Sequence, residues 1–384
     1  MATQSRGAKA AGVFIAAAML VLMGVQPILL GLYSDHLHLS LSQGGWVLAA
    51  EQSGAAAGAL IGYWLATRAS WSYSIVAGSL LAAAVSIATA FAAGFTDLVF
   101  LRFASGAAMT MAYTVAINFL GHLATPDRTF GVLMMLQTAF ISAAAFALAQ
   151  LAINFGYFTA IASGAALFVA TILAATWLPK NATRLSANAP QPSQHHHNRL
   201  LASAGLVGSF LLQLSVFAVW GFLERVGRRD GLSNTLVDNA IGIGVLGGIL
   251  GGLLPAVIGA RFGRNVMIAL ATVLLVFSYA GLSREMNWVS YVGWVTLLNV
   301  GWVLGITYYM GLAVRHDPDG RFTRLLPFAQ VLGAGAGPAC SALVTGNDRL
   351  WPIFLVASLA AVAGLAIVLA AAAQARSATH RVAA

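Results

Sequence analysis

The sequence predicts an all-α membrane protein whose twelve transmembrane helices form two pseudo-symmetric six-helix bundles. Of the 384 residues, 59% are apolar and only 8% are charged, whereas a soluble domain carries about 25% charged residues. Both halves also contain the same short loop, Pro126-Asp127-Arg128 in the first and Pro318-Asp319-Gly320 in the second. Repeats of this kind place a binding site between the halves, near the membrane midplane.

The apolar runs divide into twelve predicted spans, since a spanning helix needs about 20 mostly apolar residues. Residues 1–178 are predicted to form the N-terminal bundle and residues 200–384 the C-terminal bundle. Residues 179–199 are rich in Pro, Ser, Asn and Gln, which predicts a cytoplasmic linker. The spans lie at roughly residues 11–32, 45–67, 73–92, 97–119, 130–152, 156–178, 200–222, 237–259, 265–283, 288–311, 325–345 and 350–373.

The net charge of +9 orients the chain in the membrane. If the N-terminus is cytoplasmic, fourteen of the twenty Lys and Arg residues fall on the cytoplasmic side. This positive-inside bias predicts an inner (plasma) membrane protein with both termini cytoplasmic. The basic charge is therefore not a sign of nucleic-acid binding. The His195–His197 tract is interpreted as solvated linker rather than a metal site, and no cofactor is expected.

Small residues recur four positions apart in several spans, as in Gly54/Gly58/Gly62, Gly244/Gly248/Gly252 and Gly333/Gly337. Such spacing lets two helix backbones approach closely. It predicts tight packing between helices. Helix surfaces of this kind can also slide past one another.

Several motifs accompany the six-plus-six layout. Arg261-Phe262-Gly263-Arg264 follows the eighth span, and Arg68 holds the corresponding place after the second. Together with the layout, these segments resemble the major facilitator superfamily of transporters, which has an Asp-Arg-x-Gly-Arg loop at both places. Ala260 replaces the Asp in the second copy. The resemblance implies that Arg68, Arg261, Gly263 and Arg264 belong to a loop that helps to latch the cytoplasmic side.

Two further segments are similar to motifs of this family. Arg102 followed by Gly106 resembles the fourth helix of proton-coupled members. Gly333-Ala-Gly-Ala-Gly337-Pro338 resembles a pattern that antiporters carry in the fifth helix, although here it lies in the eleventh span. The resemblance implies proton coupling and a slight preference for efflux, with uptake as the alternative.

Glu51 and Arg102 are the two charged residues placed clearly inside predicted spans. An intramembrane charge costs about 2.5–3.5 kcal/mol and usually faces a cavity or a partner. Glu51 lies about 10 Å and Arg102 about 8 Å from the outer end of its span, at 1.5 Å per residue. A Glu51–Arg102 pair is therefore feasible. Its role is either proton coupling or substrate contact, and the alternative is a permanent structural ion pair.

Neutral polar and aromatic side chains complete a candidate cavity lining. The family resemblance implies that helices one, four, seven and ten line the cavity, with two, five, eight and eleven beside them. Interhelical hydrogen bonding and core packing are the alternative interpretations of these residues. The candidates are Gln26, Met109, Tyr113, Gln137, Gln213, Asn299, Trp302 and Gln330.

No catalytic motif and no nucleotide-binding loop occur in the sequence, so an enzyme is not expected. The predicted function is a secondary carrier that moves a small amphipathic or anionic organic solute by alternating access. The expected partners are this solute, a proton and the bilayer, and the resemblance favours a monomer. The alternatives are a proton-coupled importer, a uniporter, a non-transporting membrane sensor and an intramembrane enzyme. The sequence leaves the substrate and the direction of transport open.

Overall fold

A computed structural model describes residues 6–121, 126–178, 198–259, 261–317, 322, 325–345 and 349–383. Most of the predicted linker, including His195–His197, and residues 318–321 of the second Pro-Asp loop lie outside the described residues. The helices are α1 Arg6–Met19, α2 Val21–Gly24, α3 Gln26–Leu37, α4 Leu41–Arg68, α5 Trp71–Ala90, α6 Phe95–Gly121, α7 Pro126–Ala162, α8 Gly164–Ala175, α9 Arg199–Trp220, α10 Leu223–Arg229, α11 Asn234–Val245, α12 Gly247–Ile258, α13 Arg264–Leu282, α14 Trp288–Arg315, α15 Leu326–Val344 and α16 Trp351–Ala383.

Within the described part of the chain, nine helical segments are long and apolar enough to cross a membrane. Two more apolar helical segments, Gly164–Ala175 and Phe328–Val344, are shorter. The second predicted span corresponds to α4, which is long enough but carries Glu51 and Gln52 at its centre. These helices agree with an all-α multi-pass membrane protein.

Several predicted spans are not single straight helices. The first is divided into α1, α2 and α3, with breaks at Leu20 and Val25. The fifth and sixth are joined through α7, which bends at Gly156, where φ is +79°. A left-handed φ of this kind is accessible to glycine without steric cost.

Polar side chains fix where several helices begin. Ser40 and Gln43 form a capping box at the start of α4, because each side chain accepts a hydrogen bond from the other residue's backbone N–H. Asn198 and Asn287 cap α9 and α14 with a single hydrogen bond. Each side chain accepts this bond from the backbone N–H three residues ahead. A cap of this kind contributes about 1 kcal/mol to helix stability.

The chain divides into two compact units, Met1–Ala187 with Ser233–Gly242, and Asn188–Leu232 with Ile243–Ala384. In the first unit, α4 packs closely against α6, and α5 packs against α6 and α8. The α4–α6 contact runs along Gly54, Gly58 and Gly62, where an added Cβ would meet the backbone of Phe103, Ala107 and Met111 respectively. The predicted packing role of this glycine series is confirmed.

In the second unit, α9 packs against α14, α15 and α16, and α14 also packs against α12 and α13. An added Cβ at Gly333 or Gly337 would meet the backbone of α9, so these two glycines pack as predicted. On the eighth span the packing is different. Gly244, Gly247 and Gly251 lie against α14. A Cβ on Gly248 or Gly252 would meet only a methyl group of Val303, at 3.3 and 3.7 Å respectively.

Candidate functional site

The centre of the first unit holds a buried ion pair. Glu51 lies in the middle of α4 and Arg102 in the first half of α6, where their side chains are 3% and 2% exposed. The Nη2 group of Arg102 donates a hydrogen bond to Glu51 Oε1. The two helices approach this closely because Gly106, one turn beyond Arg102, lies against the Glu51 backbone. The structure thus brings together the two charges whose similar depth the sequence predicted.

Two amides extend the pair. Gln26, at the start of α3, donates from Nε2 to Glu51 Oε2 at 2.8 Å. Gln52 in turn donates to Gln26 Oε1 at 3.5 Å. Both oxygens of the Glu51 carboxylate are therefore engaged by donors that are themselves buried. We call Gln26, Glu51, Gln52 and Arg102 the buried polar cluster.

The guanidinium of Arg102 is only partly satisfied within this cluster. Its centre lies 5.8 Å from the ring centroid of the buried Tyr33, which is a cation–π distance. Its Nε is buried and has no hydrogen-bond partner among the described residues. A buried donor without a partner is costly, so the guanidinium is not fully satisfied by the described residues.

The pair has a clear chemical consequence. Arg102 and an ionised Glu51 neutralise one another, and their attraction is stronger than at a surface because the effective dielectric is low. Protonation of Glu51 would remove this counter-charge and leave a buried guanidinium that seeks an anionic or strongly polar partner.

The second unit contains an aromatic and amide cluster on α9 and α14. Trp302 donates from its indole Nε1 to Gln213 Oε1 at 2.7 Å. Its ring meets Phe217 edge-on at 5.6 Å and Trp220 at 6.0 Å between centroids. We call these four residues the aromatic cluster. Both Gln213 and Trp302 are partly exposed, so the cluster offers an indole face and an amide to a ligand.

The other predicted lining residues occupy varied positions. Asn299 is buried and donates to the Val295 carbonyl of its own helix at 2.9 Å. Met109 is fully buried, and Tyr113 is half-buried. Gln137 Oε1 and Gln330 Nε2 are buried atoms without a partner in the part of the chain that the structure describes. Their predicted role as lining residues stays a prediction.

The residues of the predicted conformational motifs lie at helix ends and helix contacts. Arg68 ends α4 and stands 5.5 Å from the ring centroid of the exposed Trp64. Arg261 is exposed, Gly263 precedes α13 with φ of +82°, and Arg264 begins that helix. Pro338 lies inside α15, directly after the Gly333 and Gly337 contacts with α9.

Sequence reasoning missed Gln52 of the buried polar cluster and Tyr33, which lies beside Arg102. It also missed Phe217 and Trp220 of the aromatic cluster. Tyr33 lies seven residues after Gln26, and Phe217 and Trp220 lie four and seven residues after Gln213. Residues at these spacings share one face of a helix, so the periodicity contained the signal. Glu224 on α10 is also buried: the residue is 2% exposed, and its carboxylate accepts a hydrogen bond from Arg228 at 3.3 Å.

Comparisons with known proteins identify the fold and the family. The family model of the Major Facilitator Superfamily matches residues 11–323. The chain is similar to the nucleoside transporter NupG, with a TM-score of 0.71 and 15% identity over 95% of this chain and 98% of that one. A mutant of NupG gives 0.75 and 12% identity over 94% and 99% of the two chains.

Two further transporters are also similar to this chain. A bacterial homologue of the human lysosomal transporter Spinster, solved in an inward-facing and unoccupied conformation, gives a TM-score of 0.65 and 13% identity over 96% of both chains. The arabinose-proton symporter of Escherichia coli strain K12 is 31% identical over 133 residues, which is 35% of this chain and 27% of the symporter's length.

These relatives are transporters, and the predicted membrane fold of two six-helix bundles is confirmed. The resemblance inferred from the motifs around Arg68, Arg102 and Arg261 is also confirmed. The protein is a multi-pass membrane protein. Because the family model covers most of its length, the chain belongs to the Major Facilitator Superfamily.

Proposed function

We propose that this protein is a proton-coupled secondary transporter of a small organic solute, in which Glu51 carries the coupling proton and Arg102 responds to it. The observation that carries the proposal is the buried polar cluster. A carboxylate that is 3% exposed and held by Arg102 and Gln26 is expensive to maintain in a membrane. Such residues usually mark ion or substrate pathways.

Coupling follows from the charge balance of the pair. While Glu51 is ionised, Arg102 is neutralised and binds an anionic group poorly. Once Glu51 is protonated, Arg102 regains its full attraction for a polar or anionic group of the solute. Linkage requires the reverse effect as well, so bound solute favours proton uptake by Glu51. Proton and solute then load together, and alternating access moves both across the membrane.

The aromatic cluster is the proposed solute-recognition element of the second unit. An indole face with a neighbouring amide suits a compact ring that carries hydroxyl or amide groups. The similarity to an arabinose-proton symporter and to a nucleoside transporter makes pentoses and nucleosides the first solutes to test. Amphipathic organic anions, which Arg102 would attract, form the second group.

The direction of net transport has two candidates. The Gly333-x-x-x-Gly337-Pro338 sequence is similar to an antiporter motif and favours efflux. The similarity to a symporter, together with joint loading of proton and solute, favours uptake. We further propose an inner-membrane monomer with both termini cytoplasmic, on the basis of the positive-inside bias.

Uptake into proteoliposomes under an imposed pH gradient tests the proposal. The wild type is expected to accumulate solute above the external concentration. Glu51→Gln is expected to lose accumulation but to retain solute exchange when the gradient is absent. Glu285→Gln, which removes an exposed carboxylate outside the predicted spans, is the matched control.

The same measurement separates the alternatives. Wild-type flux that is unaffected by the pH gradient would identify a uniporter. Full accumulation by Glu51→Gln would refute Glu51 as the coupling site. An absence of flux with every solute tested, combined with solute binding, would favour a non-transporting sensor, and chemical conversion of the solute would reveal an enzyme.

A further inference from the structure

The hydrogen bond between Trp302 and Gln213 fixes which end of the Gln213 amide is available to a ligand. An indole N–H can only donate, so the group that faces it is the amide oxygen. The bond from Trp302 Nε1 to Gln213 Oε1, at 2.7 Å, has this arrangement. The two ends of a glutamine amide have nearly the same shape, so the chemistry of the partner assigns them. The amide nitrogen of Gln213 therefore faces away from the indole N–H.

Both ends of the Gln213 side chain are held in place. Its Cβ lies on the side of α9 that meets α15, 3.0 Å from the position that a Cβ on Gly333 would occupy. Its amide oxygen is held by Trp302 on α14. The ring of Trp302 is itself packed against Phe217 and Trp220, which are both buried on α9. A side chain positioned in this way loses little further freedom when it binds a ligand, which favours selectivity.

The polar groups that the aromatic cluster leaves for a ligand are donors. Gln213 is partly exposed and forms no other hydrogen bond with the described residues. Its oxygen, which is the one side-chain acceptor of the cluster, is already engaged by Trp302. The remaining polar side-chain groups are the amide N–H groups of Gln213 and the indole N–H of Trp220, and these can only donate. The nearby amide of Asn299 is different, because it is 3% exposed and donates to the carbonyl of Val295 in its own helix.

We propose that Gln213 selects solutes that present an oxygen acceptor, either a ring carbonyl or a carboxylate, beside the indole of Trp302. This role rests on the proposed function, in which the aromatic cluster recognises the solute. A solute oxygen accepts from the amide nitrogen and completes the hydrogen bonding of the amide. A solute with an amino group at the same place sets donor against donor and leaves both unpaired, which is costly. Trp302 is then a positioning residue, because it keeps the amide nitrogen directed toward the solute.

Pairs of solutes that differ in one group test this selectivity. Uridine carries a ring carbonyl at the position where cytidine carries an amino group. Benzoate and benzylamine contrast a carboxylate with an ammonium group on the same ring. In equilibrium binding to the purified protein in detergent at pH 7, the wild type is expected to prefer the oxygen-bearing member of at least one pair. The expected preference is about tenfold, the effect of one hydrogen bond gained or lost.

Three variants assign the preference to the amide nitrogen. Gln213→Glu keeps an oxygen for the hydrogen bond from Trp302 and replaces the nitrogen by a second oxygen, so the preference should invert. Gln213→Met has a similar size but no strong donor or acceptor, and it should bind both members of a pair with similar affinity. Trp302→Phe allows the amide to rotate, so it should also lose the preference. Gln374→Glu places the same charge at an exposed position of α16 and, as the matched control, should keep the wild-type preference.

Three results would overturn the proposal. The first is a wild type that shows no preference for the oxygen-bearing member of either pair, including one that binds none of the four solutes. The second is an unchanged preference in Gln213→Glu and Gln213→Met, which would assign it to another donor such as Arg102. The third is an equal inversion in Gln374→Glu, which would attribute the effect to net charge.

The outcome is separable from that of the coupling proposal, because binding in detergent requires no proton gradient. A protein that shows the predicted preference but transports solute at a rate unaffected by the pH gradient would retain the role of Gln213 and lose that of Glu51. Accumulation that depends on Glu51, without any effect of Gln213 on solute preference, would give the opposite result.

Discussion

The backbone of Gly106 on α6 lies directly against the backbone carbonyl of Glu51 on α4. A Cβ on Gly106 would overlap that carbonyl and would lie 3.0 Å from the Ala55 nitrogen. Because both neighbours are backbone atoms, no side-chain rotation can relieve the overlap. The close approach of α4 and α6, which holds the buried polar cluster together, therefore depends on a glycine at this position.

Gly106→Ala is expected to force α4 and α6 apart and to weaken the Glu51–Arg102 ion pair. Overpacking of this kind costs about 1–3 kcal/mol, so we expect a lower Tm and reduced solute accumulation. Gly293→Ala is the matched control, since its Cβ would meet nothing within 4 Å on the exposed side of α14. That substitution should be neutral or stabilising by up to about 1 kcal/mol. Equal Tm values for both variants would contradict the packing argument.

The ion pair predicts that the effects of its two single substitutions on the free energy of unfolding are not additive. Arg102→Gln leaves the Glu51 carboxylate buried without its cation, which should cost about 3–5 kcal/mol in the free energy of unfolding. Glu51→Gln leaves Arg102 buried without its anion and should cost a similar amount. The double variant removes both charges of the pair, so its cost should be well below the sum of the two. Unfolding by denaturant in detergent micelles measures all three. Costs that simply add would show that the pair contributes no coupling.

Much of the fold could be predicted from sequence because lipid imposes a simple rule. Backbone groups in a bilayer must be satisfied internally, so long apolar runs become helices. The glycine series ending at Gly62 predicted tight helix packing, and the similar depth of Glu51 and Arg102 made an ion pair between the second and fourth spans feasible. The depth of a residue in the membrane and the spacing of glycines depend on one helix at a time. Both can therefore be inferred from the sequence of that helix.

Contacts that depend on several helices were harder to predict. Gln26 was predicted either to line a cavity or to form an interhelical hydrogen bond, and the sequence did not indicate that its partner is Glu51. Gln26 begins the separate helix α3, after the break at Val25. Trp220 contacts Trp302 through the relative rotation of α9 and α14, which no single helix specifies. Burial of Glu224 likewise depends on the fold around α10. In each case the sequence shows the type of residue but not the residues that it contacts.

Trp302 offers both an aromatic ring and an indole N–H that donates to Gln213. A substitution can test these two contributions to solute recognition separately. Trp302→Phe keeps an aromatic ring and removes the indole donor, so it should weaken solute binding about tenfold while Tm changes little. Trp294→Phe, which alters an indole packed against Phe277 and Gly281 instead, is the control and should bind like wild type. Binding is measured by thermal shift with pentoses, nucleosides and organic anions. Unchanged affinity of Trp302→Phe for a solute that wild type binds would remove this indole from the site.

Arg229 at the end of α10 fastens this short helix to the connection between α13 and α14. Its guanidinium donates to both carboxylate oxygens of Asp230 at 2.8 and 2.9 Å, and to the carbonyl of Leu282 at 3.3 Å. Asp230 also accepts from the Met286 amide at 3.2 Å. One planar cation thus satisfies carbonyl groups at the end of α13 and orients the carboxylate that holds the connection.

Arg229→Ala is expected to free this connection while leaving the helices intact. The side chain is 29% exposed, so the loss of global stability should be only about 1 kcal/mol. Hydrogen exchange should reveal a larger local effect, with the amides of residues 283–288 exchanging at least tenfold faster. Arg229→Lys can replace the charge but not the fork of donors, so its exchange should be intermediate. Arg284→Ala changes a side chain in the same connection without touching these hydrogen bonds, and its exchange should match wild type. If Arg229→Ala and Arg284→Ala exchanged equally, the arginine would not be the element that fastens α10 to this connection.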